Sequence, residues 1–338
     1  MTADGPAAPA DSGGAAVSFG SAIEASSHVA GIPAAARVVR ELADRGFSGA
    51  ILVIPDAEGL TARTKAEIDR FRGGLEIRIR TDLPDGQAAM TVADLLPSAE
   101  AILRASGKTS DGPVSRWLNR PISRQLTRLL LRISGIRPIH ATLGTVLIGL
   151  AMFAALMTGT EAGLLAGALL FHAASVFDGV DGEMARVTYR CTPAGAVLDS
   201  CVDVVTNVLL ILGVTINLAG RGESLAPILS VWGFVLFLAG LALIAGRAAR
   251  LDGPFSLDLV KHLYGARFHT ALAGRIIRFL TVVSSRDFFA LLFALLVVAG
   301  LPMAVLYLFA AAATVWILFV GGSFLLPVAP APLRHEGY

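Results

Sequence analysis

Charged residues and cysteines are scarce in this sequence, and each shortage excludes a class of protein. Only 16% of the residues are charged whereas 54% are hydrophobic, which excludes an ordinary soluble domain and indicates an integral membrane protein. Two cysteines are present, Cys191 and Cys201. Neither stands in a CxxC or other metal-ligand pattern, so we interpret both as small helix residues and not as a disulfide.

Lysine is also rare, since Lys65, Lys108 and Lys261 are the only ones, and the positive charge is almost all arginine. The first residues lack the basic start and the apolar core of a signal peptide. They are rich in Ala, Gly, Pro, Asp and Ser, and we therefore predict a disordered tail at residues 1–17. The first membrane helix is then expected to direct insertion.

Residues 18–106 alternate between helical and strand patterns and contain no long apolar run. The predicted helices are Ile32–Arg45, Thr61–Arg72 and Ser98–Ser106, and the predicted strands are Ala50–Ile54 and Leu75–Ile79. Short apolar strands that alternate with helices are typical of a buried parallel sheet. We predict a small α/β domain over this range.

Residues 107–137 are predicted to form a linker and an amphipathic helix. Gly107-Lys108-Thr109 matches the end of a phosphate-binding P-loop, but Ile102 replaces the leading glycine and no strand precedes it, so we interpret it as a linker. Arginines then recur at every fourth position: Arg116, Arg120, Arg124, Arg128 and Arg132. This spacing predicts a basic face opposite an apolar one, typical of a helix in the membrane interface, interrupted at Pro121. The alternative is a solvated helix that packs on the α/β domain.

Six apolar segments follow within residues 138–328, each near the length that crosses a hydrocarbon core of about 30 Å. They are Ile139–Met157, Ala162–Phe177, Gly195–Leu218, Ala226–Ala245, Phe279–Gly300 and Met303–Leu326. The second is expected to continue past Asp181, and Gly300-Leu301-Pro302 is expected to form the last turn. Residues 329–338 are a C-terminal tail. The arginines between segments favour one side, so we predict both termini and the α/β domain in the cytoplasm.

Four aspartates lie inside one of the most apolar regions: Asp178, Asp181, Asp199 and Asp203. Carboxylates at membrane depth are costly and normally mark a functional site. The first two are three residues apart and the last two are four apart, so each pair shares a helix face. Like charges this close need a cation, and an all-oxygen site favours magnesium, manganese or calcium over zinc or copper. The alternative is that the aspartates cap helices or pair with Arg186 and Arg190.

The run Asp178-x2-Asp181-Gly182-x2-Ala185-Arg186-x8-Gly195-x3-Asp199-x3-Asp203 resembles, position for position, the signature of the CDP-alcohol phosphotransferase family. Members of that family transfer a substituted phosphoryl group from a CDP-linked donor to an alcohol, release CMP and are often homodimers. One position departs from the family pattern: Pro138 and Thr142 are present, but Ile139 takes the place of the usual asparagine. That departure concerns a polar contact and leaves the aspartates intact.

The resemblance implies a role for each signature residue. Asp178, Asp181 and Asp199 would bind two Mg²⁺ or Mn²⁺ ions and the donor diphosphate, and Asp203 would lie at the metals or act as the catalytic base. The implied CDP-binding residues are Asp178, Asp181, Gly182, Ala185, Arg186 and Gly195. No Ser-His or Cys-His pair suggests a covalent intermediate, so we predict direct transfer.

Two further groups of polar residues are candidates for the same site. Arg275, Arg278 and Arg286 would bind a phosphate on the acceptor, as in family members that use inositol phosphate or glycerol phosphate; the alternative is contact with anionic headgroups. His172, Ser175 and Asn207 lie on the stripe of the aspartates. They would line a pocket, although bonding between membrane helices is the more common role of such residues.

The α/β domain carries a second resemblance. Residues 29–42 and 46–54 are similar to parts of sugar-nucleotide or inositol-phosphate nucleotidyltransferases, which precede this membrane domain in some fused relatives, and residues 111–123 resemble the linker of those fusions. The glycine-rich nucleotide loop and the lysine-bearing signature are missing. We therefore predict an inactive domain that serves structure or regulation.

These interpretations combine into one expected architecture and function. We predict an all-α domain of six transmembrane helices, preceded by an amphipathic interfacial helix and a small α/β cytoplasmic domain, in a bacterial-type inner membrane. The expected donor is CDP-diacylglycerol, the acceptor is a polar alcohol such as inositol phosphate or glycerol phosphate, and membrane lipids but no nucleic acid are partners. The alternatives are transfer from CDP-inositol to inositol phosphate, which makes a soluble phosphodiester, and a non-catalytic cation-binding scaffold or transporter.

Overall fold

A computed structural model describes residues 14–108, 111–133, 135–250 and 286–323. These residues form two compact units. The first unit comprises the described residues of 1–109, 122–140 and 180–192, and the second comprises those of 110–121, 141–179 and 193–338. Each unit has its own hydrophobic core.

The first unit contains an α/β domain built on a four-stranded parallel sheet in the order β5-β4-β1-β6, and β2 and β3 form a small antiparallel pair. The strands are β1 Ala15–Ser18, β2 His28–Val29, β3 Ile32–Pro33, β4 Gly49–Val53, β5 Glu76–Arg80 and β6 Ala89–Thr91. The helices are α1 Ala22–Ser26, α2 Ala34–Asp44, α3 Ala62–Phe71, α4 Val92–Leu95 and α5 Ala99–Ala105. The predicted α/β character is confirmed, and each predicted element lies within two residues of an observed one.

The position of β1 corrects the prediction of a tail over residues 1–17. Ala15–Ser18 is a central strand that pairs with β4 on one side and β6 on the other, and Val17 is fully buried. The alanine-rich composition suggested disorder, but small side chains also suit a strand that helices cover on both faces. The average composition of the first residues gives no sign of the four-residue strand at their end.

The juxtamembrane segment is helical, and its interruption differs from the prediction. A turn of π-helix, Ser115–Asn119, leads directly into α6, Arg120–Leu130. Pro121 stands in the first turn of α6, where a missing N–H is tolerated. The helix therefore changes type at Arg120 and is not broken at Pro121.

Five helices in the described part of the chain are long and apolar enough to cross a membrane. The long helices are α7 Pro138–Leu156, α8 Glu161–Val187, α9 Pro193–Gly220, α10 Leu225–Arg250 and α12 Met303–Ser323, with the shorter α11 Arg286–Val298 before the last. As predicted, α8 continues past Asp181, and Gly300 forms the last turn with a φ of +74°. The sixth predicted span, Phe279–Gly300, begins outside the described residues.

Small residues let the helices of the second unit approach closely. A Cβ on Gly144 would stand 2.5 Å from the ring of Phe177, and a Cβ on Gly213 would stand 2.7 Å from the side chain of Leu156. Leu156 is itself fully buried. Such contacts are the usual basis of helix packing in a membrane, where apolar burial alone gives no driving force.

Candidate metal centre and signature helix

Three aspartates of the second unit form a carboxylate cluster. Asp178 is on α8, Asp199 and Asp203 are on α9, and one oxygen from each lies within 4.8 Å of the other two. All three side chains are partly buried. Asp199 and Asp203 share a face because they are one helical turn apart, and this face of α9 meets Asp178.

Arg286, the first residue of α11, lies at the carboxylate cluster. Its Nη1 is 3.0 Å from Oδ1 of Asp178 and also donates a hydrogen bond to Asp203. The Arg286 side chain is only 13% exposed. One guanidinium therefore neutralises part of the charge that three carboxylates bring together.

Three polar side chains, of which one follows Arg286 and another lies one turn before Asp178, are hydrogen-bonded to one another. The carboxylate of Asp287 accepts hydrogen bonds from Ser175 Oγ at 2.7 Å and from Asn119 Nδ2 at 2.9 Å. Ser175 lies one turn before Asp178, and Asp287 directly follows Arg286. These bonds tie α8 and α11 together at the level of the cluster.

The role of Ser175 is therefore the bond between membrane helices that we gave as the more common alternative. Sequence reasoning missed Asn119 and Asp287. Asp287 could have been found, because it is an acidic residue directly beside a predicted site arginine, whereas Asn119 stands in the juxtamembrane segment with no local signal.

The juxtamembrane helix has a polar buried face and an apolar exposed one. Ser115, Asn119, Ser123 and Thr127 are buried, whereas Trp117 is 79% exposed and other apolar residues of the segment are also exposed. An apolar face that points outward is typical of a helix in a lipid interface rather than on a soluble surface.

Two arginines of that helix do not belong to a uniform basic face. Arg120 is buried and makes a two-pronged ion pair with Asp111, with Nε and Nη2 at 2.8 and 3.0 Å from the carboxylate oxygens. Arg128 stands 3.7 Å from Glu100 of the α/β domain. The predicted basic face is thus partly used for internal ion pairs.

Four further signature residues, Asp181, Gly182, Ala185 and Arg186, lie in the first unit, on the last turns of α8. Asp181 is buried and is not a member of the carboxylate cluster. A Cβ on Gly182 would stand 3.0 Å from Nη1 of Arg186, so glycine at this position leaves room for the guanidinium. Arg186 Nε donates to the carbonyl of Ser106 at 2.5 Å.

Glu183 is a fully buried carboxylate inside the signature that sequence reasoning missed. Ser123 Oγ and Thr127 Oγ1 each donate a hydrogen bond of 2.7 Å to one of its two oxygens. A buried carboxylate needs such donors, because desolvation without them is costly. The available signal was one more acidic residue in the apolar region, next to Gly182.

The remaining predicted residues are dispersed. Ala185 is half-buried, Gly195 is exposed near the start of α9, and His172 and Asn207 are half-buried. Arg275 and Arg278 lie outside the described residues, so Arg286 is the described member of the predicted acceptor group.

The chemistry of the cluster suits hard divalent cations. Three carboxylates offer only oxygen ligands, which magnesium and manganese prefer. The position of Arg286 among the same oxygens indicates a site that holds positive charge. Asp178, Asp199 and Asp203 are therefore the residues that fit a metal ion here.

The family profile for CDP-alcohol phosphatidyltransferase matches residues 137–326, more than half of the chain. A protein named bifunctional IPC transferase and DIPP synthase from Thermococcus kodakarensis is 33% identical over 164 residues, 47% of this chain and 34% of that protein. Its namesake from Rubrobacter xylanophilus is 33% identical over 168 residues, 48% of this chain and 35% of that protein.

A third protein of that name, from Aquifex aeolicus, is 40% identical over 93 residues, 28% of this chain and 20% of that protein. The chain thus spans about a third or less of the length of the curated relatives that it matches.

Proposed function

The chain belongs to the CDP-alcohol phosphatidyltransferase family, and we propose that it transfers a substituted phosphoryl group from a CDP-linked donor to the hydroxyl of a polar alcohol and releases CMP. The observation that carries this proposal is the carboxylate cluster. Its three members stand at three signature positions, and their oxygens lie within 4.8 Å of one another.

In this proposal Asp178, Asp181 and Asp199 hold two Mg²⁺ or Mn²⁺ ions and the donor diphosphate. Bound divalent ions neutralise a diphosphate and stabilise the attacking and leaving oxygens of an in-line displacement. The position of Asp178 and Asp199 in the carboxylate cluster supports their role as metal ligands. For Asp181 the proposal depends only on its position in the family signature.

Asp203 is the proposed base. The acceptor oxygen attacks the phosphorus, its bond to phosphorus forms as the bond to the CMP oxygen breaks, and the acceptor proton moves to the Asp203 carboxylate. Arg286 donates a hydrogen bond to Asp203, which would hold the carboxylate in a fixed orientation. Transfer is direct, without a covalent enzyme intermediate.

Gly182, Ala185, Arg186 and Gly195 are proposed to hold the nucleotide. Arg186 offers the planar guanidinium that suits phosphate recognition, and the absent Cβ of Gly182 gives it room. This assignment follows the signature positions, and the contacts of Arg186 and Gly182 are compatible with it.

Arg286 is the proposed acceptor-phosphate residue, with Arg275 and Arg278 as further candidates. Its Nη1 lies beside Asp203, the proposed base, and its side chain is largely buried. A residue in this position is better placed to meet an acceptor than a lipid headgroup. The phosphate of a phosphorylated acceptor would replace one aspartate carboxylate as the ionic partner of Arg286.

The proposed setting is a six-helix domain in a bacterial-type inner membrane, with the site and both termini in the cytoplasm and a homodimer as the assembly. The exposed apolar face of α6 supports its place in the membrane interface. CDP-diacylglycerol is the leading donor, with inositol phosphate or glycerol phosphate as acceptor.

A second candidate function is transfer from CDP-inositol to inositol phosphate. It is favoured by the similarity to relatives whose printed name pairs an IPC transferase with a DIPP synthase.

The test is release of CMP by the full-length protein in lipid nanodiscs. The protein is supplied with Mg²⁺ or Mn²⁺, with CDP-diacylglycerol or CDP-inositol, and with a panel of phosphorylated and unphosphorylated alcohols. We expect CMP with one donor, loss of activity in Asp203→Asn, and unchanged activity in Asp85→Asn, an exposed aspartate of the α/β domain. No CMP with any donor would favour a cation-binding scaffold or transporter instead.

A further inference from the structure

The signature helix α8 ends in an unusual turn directly after Arg186. Tyr189 has a left-handed φ of +52°, which glycine normally occupies at the end of a helix. The N–H of Arg190 donates to the carbonyl of Ala185 at 2.8 Å, and that of Tyr189 to Arg186 at 3.3 Å. This is the Schellman arrangement, formed here by a tyrosine in a strained conformation.

Two arginines of the α/β domain bind the carbonyls of the last residues, which accept neither of the two Schellman hydrogen bonds. Arg37 Nη2 donates to the carbonyl of Val187 at 2.7 Å, and Arg70 Nη2 donates to those of Thr188 and Tyr189 at 2.5 and 3.2 Å. The last carbonyls of a helix have no partner within the helix and favour a cation. The α/β domain therefore completes the cap of α8.

Both arginines are firmly held by their own domain. Arg37, on α2, is only 4% exposed and also donates to the carbonyls of Val29 and Ala30. Burial lowers its pKa. Arg70, on α3, pairs with Glu67 at 2.6 Å, and Glu67 also pairs with Arg190 at 2.5 Å.

Aromatic and cation–π contacts hold Tyr189 in the strained turn. The ring of Phe71 meets that of Tyr189 edge-on at 5.5 Å between centroids. The guanidinium carbons of Arg37 and Arg40 lie 5.7 and 5.2 Å from the Tyr189 ring centroid. All these residues except Tyr189 belong to the α/β domain, which supplies the contacts that offset the strain.

The same domain also contacts Arg186 and the residue that follows it. Its Nε donates to the carbonyl of Ser106 at the end of α5, and the next carbonyl in the chain, that of Val187, is held by Arg37. The α/β domain therefore binds the guanidinium of Arg186 and the backbone one residue after it.

We propose that the α/β domain fixes the end of the signature helix and thereby orients Arg186 for the nucleotide, with Arg37 and Arg70 as positioning residues. The inference rests on the proposed function, because it takes Arg186 as a nucleotide-binding residue. It gives a domain with no predicted activity of its own a direct part in donor binding.

The test compares Arg70→Gln and Arg37→Gln with wild type, in the full-length protein in nanodiscs. We expect both substitutions to raise the Kd for CDP in the presence of Mg²⁺, and the KM for the CDP-linked donor, by about tenfold, a cost of about 1.4 kcal/mol. The kcat and the KM for the acceptor should change by less than about twofold. Arg70→Lys keeps one donor and should recover part of the CDP affinity.

Arg78→Gln is the matched control, because Arg78 is an exposed arginine of the same domain that pairs only locally, with Glu76. Hydrogen exchange gives a readout independent of activity: the amides of Tyr189 and Arg190 should exchange faster in both variants and not in the control. If Arg37→Gln does not fold, Arg70→Gln decides, since Arg70 is less buried.

The outcomes separate the two proposals. A wild-type protein that binds no CDP and releases no CMP would overturn the proposed function and this inference with it. A wild-type protein that binds CDP, with variants that bind it equally well, would overturn the positioning role alone. A loss of kcat with unchanged CDP affinity would also contradict it.

Discussion

The two halves of the family signature differ in how their charges are satisfied. In the carboxylate cluster, the guanidinium of Arg286 pairs with two of the three aspartates, Asp178 and Asp203. At the end of α8, by contrast, Glu183 has two hydroxyl donors, and Val187, Thr188 and Tyr189 have arginine donors for their carbonyls. Among the described residues, one region gathers three carboxylates around one arginine, and the other forms a closed hydrogen-bonded network.

The difference indicates that the two regions have different roles. Like charges held together raise the free energy of their ionised forms, so the carboxylate cluster gains most from added cations. The carbonyls of Val187, Thr188 and Tyr189 and the carboxylate of Glu183, by contrast, already have hydrogen-bond donors. The end of α8 supplies fixed geometry, which is what a binding residue needs for pre-organisation. Substitutions in the cluster should therefore affect metal binding and chemistry, whereas those at the end of α8 should affect stability and donor affinity.

The largest effect is expected from Asp199→Asn in the carboxylate cluster. Loss of one ligand charge should lower CMP release by about a thousandfold, because bound metal ions contribute several kcal/mol to stabilising the transition state. Binding of Mn²⁺, followed by its electron paramagnetic resonance, should weaken in parallel. Unfolding temperature should change little or rise, since a repulsive charge is removed. Unchanged Mn²⁺ affinity would show that the cluster is not the metal site.

The second prediction concerns Glu183, in the closed network. Glu183→Ala removes the acceptor of two buried hydroxyls and should destabilise the first unit by about 1–3 kcal/mol per group left unsatisfied. The measurement is thermal or denaturant unfolding of the full-length protein. The coupling between Glu183 and Ser123 can be isolated with Ser123→Ala and the double variant. Additive losses would mean that the hydrogen bond of 2.7 Å contributes nothing.

Much of both regions could be predicted from local sequence patterns. The helices follow from apolar runs and periodicity, and the meeting of Asp178 with Asp199 and Asp203 follows from helical spacing and the short connection between α8 and α9. The partners could not be predicted. Arg286 and Asp203 are 83 residues apart in the chain, and Arg37 and Val187 are 150 apart. No local pattern specifies which distant residue satisfies a given carboxylate or carbonyl.

The third prediction uses Tyr189 to separate strain from ring contacts. Tyr189→Ala and Tyr189→Gly both lose the contacts with Phe71 and the arginines, but only glycine adopts the left-handed φ without strain. The glycine variant should therefore be more stable than the alanine variant by about 1 kcal/mol. Unfolding of the two variants under identical conditions measures the difference. Equal stabilities of the two variants would show that the left-handed turn is not strained.

The smallest effect is a pH dependence of the stability of the first unit, which contains His28. Partial desolvation by neighbouring groups and the charge of Arg63 lower the pKa of His28 below 6.5, and Glu67, a partner of Arg70 and Arg190, partly opposes that shift. A lowered pKa means that the folded state resists a proton that the unfolded state accepts. Stability should therefore fall as pH drops through 6.5 and level off below the folded pKa.

His28→Gln should remove this slope between pH 7.5 and 5.5, while Asp85→Asn should keep it. Because His28 is exposed, the effect is small, and it should appear in unfolding of the first unit before it appears in metal binding. An equal slope in His28→Gln would assign the pH dependence to another group.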